Sequence, residues 1–133
     1  MKTDQEIKEE IFLHIKGSVL EDAVSGIVTK RRRPMNSKKE DIIISILANQ
    51  NAQKQQALVN VNIYVPDQNV KKNGQYEEDG ERLTELSRIA ADFLEVFWIG
   101  PARVSLEEQR TLELPNGTEH VINNKLLYQI ENL

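Results

Sequence analysis

The sharpest chemical feature of the sequence is Lys30-Arg31-Arg32-Arg33, with Lys38 and Lys39 a few residues further on. Cations in such a run can bind phosphate, or the carboxylates of a partner subunit. On a strand, Lys30 and Arg32 would face one way and Arg31 and Arg33 the other. If both sets face solvent, the run reads instead as an edge strand guarded by charge. No aromatic residue is interleaved with the cations. The chain carries 17 Lys+Arg against 21 Asp+Glu, a formal charge of −4. Nucleic-acid-binding domains are usually basic. A salt-bridge role between subunits therefore fits this balance better than reading DNA does.

The remaining reactive residue types are scattered. His14 and His120 stand far apart in the sequence, and no spacing argues that they meet. The acids Glu77-Glu78-Asp79 and Glu107-Glu108 form the densest carboxylate clusters. A paired-carboxylate hydrolase needs one acid in an apolar site and one in a polar site. Residues 77–79 lie in a polar run that should be solvated, so helix-start charge and solubility explain them. A small hydrolase using these acids with His120 is the weakest reading. No HExxH, GxSxG, P-loop or GxGxxG pattern occurs. The absence of Cys excludes zinc–thiolate sites, iron–sulfur clusters and a thiol nucleophile. The expectation is a protein that is not an enzyme and that needs no cofactor or metal.

These residues must be positioned by one domain, spanning 1–133. Hydrophobic residues make up 39% and charged residues 29%, which excludes a disordered chain or a membrane bundle. The first residues show no signal-peptide pattern, and no apolar stretch approaches the ~18 residues of a membrane span. A soluble protein with no membrane contact is expected.

Thr3 and Glu6 fit a capping box, and Ile7, Ile11 and Ile15 mark one stripe of a helix over 4–16, stopped at Gly17. Gly26 to Thr29 opens a strand that runs into the basic run and ends at Pro34. Asp41–Ala48 is a nearly continuous apolar strand. Leu58–Val65 alternates, with Val59, Val61, Ile63 and Val65 on one face and Asn60 and Asn62 on the other. A face bearing Asn60 and Asn62 is wet or meets a polar partner. Residues 49–56 read as a hairpin loop and 66–80 as a long polar loop. Glu81–Ile99 reads as the main helix, with Asp79 as N-cap and Gly100-Pro101 as its stop. Trp98 falls off its main stripe and suits a subunit contact. Residues 102–106, 111–114 and 118–122 are strand candidates around an Asn116-Gly117 turn. Residues 125–130 are a strand or a short helix. The fold class is α+β: a mainly antiparallel β-sheet covered by two α-helices.

The segment order carries a resemblance. A helix is followed by GIVTKRRRP, EDIIISIL, ALVNVNIYVPD and a long helix ending near FWIGPARVSL. This resembles the tail terminator, or tail-completion, proteins of long-tailed phages and prophages. In that family, an Arg-Pro element precedes an uninterrupted apolar strand and then a Val-x-Val-x-Ile/Val strand ending in Asp. Here those elements are Arg33-Pro34, Ile42 to Leu47 and Val59 to Asp67. The polar stretch at 66–80 and the basic run both exceed that pattern. The resemblance implies a structural virion protein that forms rings, commonly hexamers. Such rings cap the tail tube and offer a surface to the head connector. The implied candidate assembly residues are Lys30, Arg31, Arg32, Arg33, Asn60, Asn62 and Trp98, with the loops at 49–56 and 66–80 touching neighbours. Arg31 to Arg33 would contact DNA only if they faced the lumen. The implied location is the virion, or the host bacterial cytoplasm during assembly. The alternative from the residues themselves is a small nucleic-acid-binding module built on Lys30–Arg33.

Overall fold

Helix α1 (Asp4–Ile15) starts where the capping box places it: the Thr3 hydroxyl accepts from the Glu6 N–H, and the Glu6 carboxylate accepts from the Thr3 N–H. Ile7, Ile11 and Ile15 are fully buried, each contributing roughly 1.5–3 kcal/mol of burial. The computed structural model describes residues 1–132. Gly17, at φ +76°, ends the helix in a conformation that glycine alone adopts without strain. A second helix, α2 (Val19–Ala23), is capped by the Ser18 hydroxyl.

Six strands follow: β1 (Val28–Thr29), β2 (Ile42–Asn51), β3 (Lys54–Pro66), β4 (Val96–Ile99), β5 (Ala102–Glu113) and β6 (Glu119–Glu131). Helix α3 (Gly80–Leu94) links β3 to β4. The strands form one curled sheet in the order β1-β2-β3-β6-β5-β4, antiparallel except for the β1–β2 pair. The protein is therefore the expected α+β domain, with three helices in place of two.

One face of the sheet carries Val59, Val61, Ile63, Ile122, Leu126 and Tyr128, all buried in the core cluster with the helices' Ile7, Ile11, Leu86, Ala90 and Leu94. The Tyr128 hydroxyl donates to Glu10 on α1 at 2.5 Å. Buried Asn124 donates to the Val61 carbonyl and accepts from Gln109, which also donates to the Ser87 carbonyl of α3. This amide bridge pins α3 to the sheet.

Several expectations need correction. The main helix ends at Leu94, not Ile99, because Phe97 and Ile99 turn inward with strand spacing against Val104 and Ala102. Gly100-Pro101 then makes the β4–β5 turn, with Gly100 at φ +55°. Residues 49–56 are not a loop: only Ala52 and Gln53 separate β2 from β3. The short strand candidates merge into two long strands, β5 and β6, because a bulge between Leu106 and Glu108 absorbs the break in alternation. The basic run is not strand, since β1 stops at Thr29.

Candidate functional site

The basic run divides into two kinds of cation. Lys30 pairs with Glu9 and lies 5.4 Å from the centre of the Phe12 ring. Arg33 is the hub of the segment. Its Nε donates to Asp41 at 3.0 Å, its Nη1 meets Glu119 at 2.8 Å, and its Nη2 donates to the Lys39 carbonyl at 3.2 Å. The guanidinium also lies 4.4 Å from the centre of the Tyr64 ring. Arg33 thus fixes the 30–40 segment onto the starts of β2 and β6. Arg31 and Arg32 remain exposed, and among the described residues neither makes an ion pair.

Two acids directly before β2 organise this corner. Asp41 is buried and accepts from the Ile27 N–H, the Ser37 hydroxyl and Arg33. Burial pushes its carboxyl up, but these donors and the Arg33 charge outweigh burial and hold it below its ordinary value. Glu40 accepts two bonds from Arg82 of α3 and one from the Ser25 N–H. Burial again raises its carboxyl, and again the hydrogen bonds and the Arg82 charge win, leaving it below the usual range. Gly26 passes between them, its N–H donating to the Glu40 carbonyl at 2.8 Å.

The two histidines do not share a site. His14 stacks on Phe97 with ring centres 3.8 Å apart and also meets Phe93 at 4.9 Å. Burial holds its imidazole below the ordinary value. His120 bonds the buried Asp67 through Nδ1 at 2.6 Å, and its Nε2 lies 3.8 Å from Glu78. The structure therefore joins His120 to one acid of the 77–79 cluster and adds Asp67, which the sequence reading had left out of that site. The adjoining cleft, about 520 Å³, is lined by Arg33, Ser37, Lys38, Asp67, Tyr76 and Glu119 among others. His120 is not part of that lining, and its Nδ1 is engaged by the Asp67 carboxylate. The contact holds the end of β3 against the start of β6 and the 66–80 loop. Among the described residues no group of three or more His, Asp or Glu is arranged to hold a metal ion.

Asn60 and Asn62 lie on the sheet face opposite the core, as their alternation with buried valines requires. Both accept from the Asn123 side chain, at 3.2 and 2.7 Å, in an amide ladder between β3 and β6. Val121, on the same face, is buried. Trp98 is 64% exposed on β4, opposite Arg103 of β5.

The edges of the sheet are the remaining feature. β1 covers β2 only at Ile42 and Ile43, and β4 covers β5 only from Ala102 to Ser105. Among the described residues, two stretches of backbone are left without a strand neighbour on their outer side: Ile44–Asn51 of β2 and Glu107–Glu113 of β5. Sequence inspection missed both edges, because it broke β5 in two and assigned the end of β2 to a loop.

No family model matches the chain, and no curated protein matches it. No helix among the described residues is long and apolar enough to cross a membrane.

Proposed function

We propose that this chain is a structural subunit, not an enzyme, that assembles with copies of itself into a ring. On this reading the ring, commonly a hexamer in proteins it resembles, caps a phage tail tube and presents a surface to the head connector. Its place is the virion, and the host bacterial cytoplasm during assembly. The observation that carries the reading is the pair of open strand edges on opposite sides of one sheet. Unpaired edge backbone is a template for adding another strand, and proteins normally cover it or guard it. A head-to-tail contact between unlike edges closes a ring when the rotation per subunit divides a full turn. Electron microscopy of the purified chain mixed with uncapped tail tubes tests the proposal. Rings seated at tube ends are expected, and tubes left bare would contradict it.

A nucleic-acid-binding module is the alternative, favoured by the exposure of Arg31 and Arg32 beside Lys38 and Lys39. Its support is narrower than the run suggests, since Lys30 and Arg33 are engaged internally. Phosphate contacts would make log affinity fall linearly with log salt. Negligible DNA binding at low salt removes this alternative.

A further inference from the structure

The geometry points to a specific interface between copies: the β1–β2 edge of one chain against the β4–β5 edge of the next. This inference rests on the ring reading above and names the surfaces that would build it.

Apolar groups support it first. The β1–β2 side exposes Ile27, Met35 and Leu47, the last at the β2 bulge. The β4–β5 side exposes Val96, Trp98 and Leu112. Each side of the sheet thus exposes large apolar side chains, with Leu47 and Leu112 inside the open stretches themselves.

Charge then decides the pairing. Just after β1 stand Arg31 and Arg32, and just before β2 stand Lys38, which lines the cleft with Asp67 and Glu119, and Lys39; among the described residues none of the four is in an ion pair. On and beside β5 stand Glu95, Glu107, Glu108 and Glu113. Glu108 is shared by Arg110 and Lys125, while Glu107, bonded to the Ser105 hydroxyl, pairs with no cation among the described residues. Arg103 and Arg110 are the basic residues of this side. The basic edge repels another basic edge, and the acidic edge repels another acidic edge. The contact that satisfies both is basic against acidic, which is head-to-tail. A symmetric two-fold dimer through either edge would set like charges together.

Charge reversal with mixing tests this. Arg31→Glu and Arg32→Glu with Lys38→Glu and Lys39→Glu makes both edges acidic, and Glu107→Arg with Glu113→Arg makes both basic. By sedimentation velocity, each variant alone should associate about a hundredfold more weakly than the native chain. An equimolar mixture should recover the native assembly, with the two variants alternating around it. Thermal unfolding of each variant confirms that it is folded. Variants that assemble like the native chain would overturn this interface while leaving the ring reading in place. Folded variants that fail alone and also fail when mixed would overturn it too. Recovery on mixing, from a protein that ignores tail tubes, would uphold the interface and remove the tail-capping role. A native chain that stays monomeric overturns both.

Discussion

The guanidinium of Arg82, in the first turn of α3, grips the carboxylate of Glu40 through two hydrogen bonds of 2.5 and 2.8 Å. The same guanidinium donates to the Ala23 carbonyl at the end of α2. One side chain therefore ties α2, α3 and the start of β2 together across 59 residues of sequence. Arg82→Ala leaves a largely buried carboxylate without its cation and should cost about 2–3 kcal/mol in urea unfolding. Arg82→Lys should recover only part of this, because an ammonium cannot supply the two-pronged geometry.

Gly26 should be intolerant of any side chain. A Cβ there would lie 2.5 Å from the backbone oxygen of Glu40 and closer still to Asp41 Oδ1. The obstacle is partly backbone and cannot swing aside. Gly26→Ala should lower stability by about 1–3 kcal/mol. A melting temperature equal to that of the native chain would show that the corner yields more easily than its packing indicates.

The basic run should separate by role. Arg33→Lys loses the fork that spans Asp41, Glu119 and the Lys39 carbonyl, and should cost about 2 kcal/mol. Arg31→Ser and Arg32→Ser should each change stability by no more than about 0.5 kcal/mol, as exposed residues do. Chemical denaturation of the three variants checks the division. Equal losses at all three positions would mean that Arg31 and Arg32 are also structural.

How much of this was legible follows from range. The Thr3–Glu6 capping box, the Ile7, Ile11, Ile15 stripe and the Val59–Val65 alternation are local patterns, and each forms as read. Glu81–Ile99 reads as one helix because Phe97 follows Phe93 at a spacing of four, which fits a continuing helix. In the structure the two rings instead close on His14 from α3 and β4 in turn. Asp67 and Arg82 carried no local signal, and Glu40 and Asp41 only a faint one. Their partners come from remote segments, as Arg82–Glu40 and His120–Asp67 do. The one available hint was two acids abutting the apolar run at Ile42, where an unpaired charge would be costly.

Stability should fall with acid in two steps. The ordinary values of Glu40 and Asp41 are 4.5 and 3.8, and both are depressed in the fold. Their contribution is complete above those ordinary values and is lost as pH falls through the lower folded-state ones. His14 acts earlier. Its folded-state value lies below the ordinary 6.5, so the unfolded chain takes up the proton first. Stability from this group is complete above about pH 6.5 and declines below it. Urea midpoints across the acid range should show both declines, and His14→Phe should flatten the earlier one. An unchanged slope in that variant would remove His14 from the account.

The central claim is that this protein works by joining copies of itself. Light scattering of the purified chain across a concentration series tests it most directly. The account predicts a reversible approach to one closed assembly of fixed mass, with no growth beyond it. A mass fixed at one chain at every concentration would contradict it.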